Sequence, residues 1–196
     1  MNETFINNGQ FSPAMNDLTR LLTKSNLEVL DALAKQEHSV RELAEILNRS
    51  PAKVHQAAKL FAQHGIVLAE RRKNRLVLQP NRASPLYRKI RALTNTNHLL
   101  SARPFAKLTK HGAVGMYGSY AQGTDDRESD LDLLIVTDEK ELAIRPVLRE
   151  LEAEIDRRIS PLILTKRQLS NLSRDDPTFA SRLQATVVAL HGDPFG

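Results

Sequence analysis

The residues with the clearest chemical potential lie between Gly118 and Asp132, in the stretch GSYAQGTDDRESDLD. A Gly-Ser pair that follows an apolar strand and opens a short helix turns backbone N–H groups and a hydroxyl toward one point, where an anion can sit. Eleven residues after Ser119 comes Asp130, and two further on comes Asp132. Residues i and i+2 of an extended chain share a face, roughly 7 Å apart. Two carboxylates on one face beside a phosphate cradle suit a hard divalent cation. Two such cations about 4 Å apart can clamp the attacking and leaving oxygens of a phosphoryl transfer. Burying a carboxylate without a partner costs several kcal/mol, so a strand that opens on two acids needs a positive partner or an exposed end. Strand-end solvation or turn capping accounts easily for one Asp, and less well for both together with Gly-Ser.

These residues need a frame. AVGMYG reads as a short apolar strand, with a small helix after Gly118. DLDLLIVTD is a strand that is buried by its far end, EKELAIRPVLRELEAEI is an amphipathic helix, and ISPLILT is a third strand. KRQLSNL makes a short helix, and ATVVALHG is one more short strand closing on a turn. Alternation of strand and helix predicts a small mixed sheet with flanking helices, an α/β (α+β) arrangement.

The front half is built differently. Ser12 followed by Pro13 predicts a helix in the N-terminal arm to about Thr23, ahead of the three that follow. Leu27, Val29, Leu30, Leu33 and Ala34 repeat at helical spacing. Ser39 and Glu42 form a capping box for a helix carrying Val40, Leu43, Ala44 and Leu47. Ser50 and Pro51 open another, with Val54, Ala57, Ala58 and Phe61 inward and Gly65 at its end. IVLAE and RLVLQ flank the basic turn RRKN as a hairpin. Three helices and a hairpin is the order of a winged helix-turn-helix. Lys53, His55, Gln56 and Lys59 project from the third helix away from its apolar stripe, and Arg71, Arg72, Lys73 and Arg75 crowd the wing. A positive wing over a polar helix face suits phosphate contacts plus groove readout of duplex DNA. A solvated face, or a protein-docking module, is the competing reading. The expected division is an arm over 1–24, the winged helix over 25–80, a linker helix within 81–102, centred on 86–93, and the sheet domain over 103–196.

Composition sets the outer limits. The 196 residues are 41% hydrophobic, enough for real cores, with no apolar run of 18 or more residues to span a membrane. The start lacks the basic-then-apolar order of a signal peptide, so the expected location is cytoplasmic. Absence of cysteine excludes disulfides and thiolate chemistry. Charge is unevenly spread. Residues 1–98 hold 15 Lys and Arg against 8 Asp and Glu, a net +7, whereas residues 99–196 hold 13 against 15, a net −2. A basic front suits a polyanion, and an acidic rear gathers carboxylates. The six histidines show no paired metal-ligand spacing, and Asp125, Asp126 and Glu128 read as a solvated loop.

Gly118-Ser119, ten intervening residues and then Asp130-Leu131-Asp132, with Gly123 ending the short helix and Ser129 directly before the first acid, resemble the signature of the DNA polymerase beta nucleotidyltransferase superfamily. The small, minimal members are the nearest in pattern, and the likeness covers about Arg103 to Gly196. The front half resembles winged-helix domains fused to such transferases. The resemblance implies transfer of a nucleoside monophosphate from an NTP with release of pyrophosphate. Gly118 and Ser119 would hold the triphosphate, and Asp130 and Asp132, as catalytic residues, would ligate Mg²⁺ (or Mn²⁺). It implies a third carboxylate on the later strand, to bind metal and deprotonate the acceptor. The alignment puts Ser160 there, with Asp156 and Glu154 as the nearest acids. The alternative is therefore a weak or inactive transferase-like, DNA-binding transcriptional regulator that senses nucleotide or serves as a homodimer scaffold. Minimal transferases also accompany small helical partner proteins, which makes a toxin–antitoxin role a third reading.

Overall fold

A computed structural model describes residues 16–196. The expected helix start at Ser12 and Pro13 lies outside the described residues. Contacts divide the chain into two compact units, Met1–Arg91 and Ala92–Gly196.

In the first unit, α1 (Asn16–Leu21) precedes α2 (Lys24–Lys35), whose N-cap Thr23 accepts from the Asn26 N–H. α3 (Val40–Ile46) starts on the reciprocal Ser39–Glu42 capping box. α4 (Pro51–Gln63) starts on Ser50 with Pro51 in its first turn. The pair β2 (Val67–Arg72) and β3 (Arg75–Pro80) form the hairpin, reversing at Lys73 with φ of 53°. A two-residue strand, β1 (His38–Ser39), pairs with β3, so the sheet runs β1-β3-β2. Leu33, Leu43, Val54, Phe61, Ile66 and Leu78 are buried together in this unit's core. The elements follow the predicted order of helices and hairpin.

α5 (Pro85–Ser101) is longer than the expected linking helix, and the division between units falls inside it. Its Tyr87 and Ile90 join the first core, whereas Leu99 joins the second.

The second unit contains α6 (Arg103–Leu108), β4 (Ala113–Tyr117), α7 (Gly118–Gln122), β5 (Leu131–Val136), α8 (Glu141–Ile155), β6 (Ile159–Leu164), α9 (Lys166–Asp175), α10 (Pro177–Thr186) and β7 (Val188–His191). The sheet order is β6-β5-β4-β7; β5 and β6 run parallel and the other pairs antiparallel. It is the mixed sheet with flanking helices that the strand–helix alternation predicts. β5 is central, which explains its nearly unbroken apolar run: Leu131, Leu133 and Ile135 pack in one core with α6 and α8, while Leu134 and Val136 pack on the opposite face with residues of α9 and α10. By strand parity Asp132 shares the face of Leu134 and Val136. Pro161 sits within β6, at one edge of the sheet.

No helix among the described residues is long and apolar enough to cross a membrane.

Candidate nucleotide and metal site

The site assembles where three strands meet two turns. β4 ends at Tyr117, and the chain swings at Gly118, with φ of 70°, directly into α7. α7 is a single short helix, stopped by Gly123 in the left-handed region at φ of 67°. Tyr117 is the ladder partner of Asp132, so the Gly-Ser turn lies next to the start of β5. Asp130 stands just ahead of the strand, and the fully buried Leu131 separates it from Asp132. Both aspartates are half-buried.

One contact ties these two pieces together. A β-carbon on Gly118 would fall 2.0 Å from Asp132 Oδ2, so the carboxylate lies against the glycine's bare α-carbon. Glycine is required here twice, for its positive φ and for this approach. The Gly118→Ala substitution is expected to cost about 1–2 kcal/mol for the left-handed backbone alone and to push the Asp132 carboxylate aside. Thermal unfolding together with Mn²⁺ titration checks this: a lower Tm with unchanged Mn²⁺ affinity would show that the contact does not matter to the site.

The surroundings of Asp132 disfavour its charged form. Burial pushes its carboxyl above the ordinary carboxylate range, the negative charge of Asp130 pushes it further, and a hydrogen bond donated by the Ser160 hydroxyl pulls partly back. Tyr117 is also raised, by burial first and by the charge of Asp132 second. The only basic group recorded against the pair among the described residues is Arg158, whose Nε is 4.0 Å from Asp130 Oδ1; its side chain is 87% exposed. Two hard oxygen donors with mutual repulsion fit a divalent cation.

The expected third carboxylate is not beside them. Ser160 is the direct partner of Asp132 in the parallel pair of β5 and β6. Asp156 ends α8 in a left-handed conformation, with φ of 52°. Glu154 accepts from the Arg103 N–H at 2.9 Å, and Glu152 accepts from the Ile159 N–H at 2.8 Å. Among the described residues, no group of three His, Cys, Asp or Glu side chains could hold a metal ion.

The acidic loop before β5 corrects the sequence reading. Asp125 is not solvated; it is 1% exposed and accepts from Asn95 Nδ2 at 2.8 Å, while Arg157 Nη2 lies 3.4 Å from its other oxygen. Asp126 and Glu128 are exposed, as expected. Tyr120 is buried and stacked under the Arg157 guanidinium, 5.0 Å from centroid to Cζ.

Residues 103–192 match the family described as polymerase beta, nucleotidyltransferase. This segment is a polymerase beta-type nucleotidyltransferase domain. The match stretches from the start of α6 to the turn after β7, so it contains the Gly118–Ser119 turn, Asp130, Asp132 and Ser160, but not Asn95. Residues 21–82, from the end of α1 through the hairpin, match a family described as HVO_A0114. A solved structure described as a toxin–antitoxin with AMP-PNP is similar over 47% of this chain and 74% of its own, with 19% identity and a TM-score of 0.36. No curated protein matches the sequence.

The proposed nucleic-acid residues lie in the other unit. Lys53, His55, Gln56 and Lys59 are exposed on α4, opposite its buried Val54, Ala57, Ala58 and Phe61. Arg71 and Lys73 are exposed near the hairpin turn. Arg72 is engaged: it donates to Glu37 at 2.6 Å and to Glu70 at 2.8 Å, and Arg75 lies 3.6 Å from Glu42. A fixed spacing of basic residues in sequence could not reveal Glu37, which arrives from the end of α2.

Proposed function

We infer that the transferase domain binds a nucleoside triphosphate with Mg²⁺ or Mn²⁺ and moves its nucleoside monophosphate to an acceptor hydroxyl. The observation that carries this reading is the packing of Asp132 against Gly118, which joins an anion-binding turn to a carboxylate pair. Gly118 and Ser119 hold the triphosphate through backbone N–H groups and the hydroxyl. Asp130 and Asp132 hold the cation. When bound, the cation supplies neutralisation of charge on the triphosphate and its leaving oxygens. An acceptor oxygen forms a bond to the α-phosphorus, the bond to pyrophosphate breaks, and the acceptor proton is released.

Ser160 favours a second reading. A hydroxyl is no general base by itself, so the same site can hold nucleotide and metal while turning over slowly or not at all. The protein is then a nucleotide-sensing regulator. Transfer of label from [α-³²P]ATP with Mg²⁺ or Mn²⁺, run beside equilibrium ATP binding, separates the two. Labelled acceptor supports the transferase; saturable metal-dependent binding with no label transferred supports the sensor; absence of both sinks the site.

The first unit is read as a duplex-DNA module, supported by the exposed basic and polar face of α4 and by the wing cations. Lys53, Gln56 and Lys59 would face the groove, with Arg71, Arg72, Lys73 and Arg75 toward phosphates. Each lysine or arginine that contacts a phosphate adds close to one unit to the slope of log affinity against log salt. Arg71→Ala and Lys73→Ala are each expected to lower that slope by about one. Arg72→Ala is expected to lower it less, because Glu37 and Glu70 already offset its charge. Anisotropy titrations on a labelled duplex across salt concentrations measure this, and slopes that stay at the wild-type value in all three variants would overturn the DNA reading.

A further inference from the structure

The loop between α7 and β5 must deliver Asp130 to the site, yet its acids repel one another and carry no hydrophobic anchor of their own. One side chain from the turn between α8 and β6, that of Arg157, crosses to it. Arg157 Nη1 donates to the Asp126 carbonyl at 2.9 Å and also to the Ser129 carbonyl, while Nη2 lies 3.4 Å from Asp125 Oδ2. One guanidinium therefore touches both ends of the loop, and Ser129 is the residue immediately before Asp130. The same group stacks on Tyr120, one position after Ser119 in α7. From the other side Asn95 Nδ2, in α5, donates to Asp125 Oδ1 and to the Tyr120 carbonyl, both at 2.8 Å. Within the loop, the Asp126 N–H donates to Ser129 Oγ at 3.0 Å, and the Ser129 hydroxyl donates to Asp126 Oδ1 at 2.7 Å.

We propose that Arg157 is the positioning residue of the site: its guanidinium, spanning Asp125, Asp126, Ser129 and the Tyr120 ring, holds the two aspartates and the Gly118-Ser119 turn in one fixed relation. This rests on the nucleotide-binding reading above. Arginine is needed because its planar fork reaches several acceptors at once and stacks on an aromatic face, where a lysine is a single point charge. The contacts of Arg157 are to the loop and to the Tyr120 ring, so its effect on the site runs through them. Residues that orient metal ligands in this way typically change affinity by about 10- to 100-fold when lost.

Removing Arg157 alone would strip the buried Asp125 carboxylate of the arginine's positive charge and so risks unfolding the domain. The test therefore uses the charge-balanced double variant Asp125→Asn with Arg157→Met, together with Arg157→Lys. Two measurements are made on each: hydrogen exchange of the amides in residues 124–130 without ligand, and Mn²⁺–ATP affinity. The double variant is expected to keep native far-UV circular dichroism, exchange the loop amides faster, and bind Mn²⁺–ATP roughly 10- to 100-fold more weakly. Arg157→Lys is expected to restore most of the Tm but not the affinity. Wild-type affinity in the double variant, or full recovery by lysine, overturns the proposal whatever the exchange data show. If the wild-type protein itself binds no Mn²⁺–ATP, the nucleotide-binding reading fails, and loop exchange alone then decides the clamp: faster in the double variant supports it, unchanged overturns it.

Discussion

Asp132→Asn is expected to abolish metal-dependent nucleotide transfer while making the protein without ligand more stable. The loss follows from the donor set: with one of two carboxylates gone, no anionic pair remains to hold the cation. A cation that contributes several kcal/mol to the transition state corresponds to a rate loss of roughly a thousandfold. The gain follows from the raised pKa. Burial and Asp130 lift the Asp132 carboxyl above its unfolded value, so the folded protein holds this proton more tightly than the unfolded chain does. The ionised group therefore weighs against the fold at neutral pH, and that cost is relieved as pH falls through the raised pKa. The amide keeps the shape against Gly118 and the contact with Ser160 without the charge. Thermal melts should show the variant above wild type at neutral pH, with the difference shrinking in acid. Mn²⁺ binding by the wild type should weaken on acidification at a higher pH than an ordinary aspartate would require. A variant that is less stable at neutral pH, or that still transfers nucleotide, contradicts this account.

Ser160→Asp is expected to create or raise transferase activity. Ser160 is paired with Asp132 across β5 and β6 and is exposed, so a carboxylate there joins the existing pair without entering a core. A positioned general base contributes about 10²- to 10⁴-fold, and the third acid also brings another oxygen donor for metal. In the protein without metal, the added charge repels Asp130 and Asp132 and should lower the Tm; Mn²⁺ should restore it by more than it raises the wild type. Label transfer and the Mn²⁺-dependent shift in Tm are the two readouts. An unchanged rate, despite a larger Mn²⁺ shift, would mean that the base is not what limits the wild-type site.

How much was legible depended on whether a signal was local. The Ser39–Glu42 box, Ser50 with Pro51, and the turn glycines 65, 118 and 123 each act within a few residues, so helix starts and stops could be read from them. The pairing of Ser160 with Asp132 agrees with the alignment drawn from the resemblance. α10 carried a similar signal, Asp176 followed by Pro177, but its apolar positions are weakly patterned and hide it. α6 and β1 are too short to show a period; β1 exists only because β3 lies beside it. The role of Asp125 was illegible for a stronger reason. Its partners, Asn95 and Arg157, are 30 and 32 residues away, and an acidic run with no visible counter-charge looks like a wet loop. The engagement of Arg72 was hidden in part for the same reason: Glu70 lies in its own strand, but Glu37 is 35 residues away.

The sheet's outer margin has a consequence for how the molecule behaves in a crowd. β6 is an edge strand, and Pro161 in its middle has no N–H to offer an incoming chain. The opposite edge, β7, is only four residues long. Both borders are thus poor templates for strand addition, and β-mediated fibril growth or sheet swapping between copies is disfavoured without any charge being spent on it. Replacing Pro161 to simplify engineering of the neighbouring Ser160 would remove that guard.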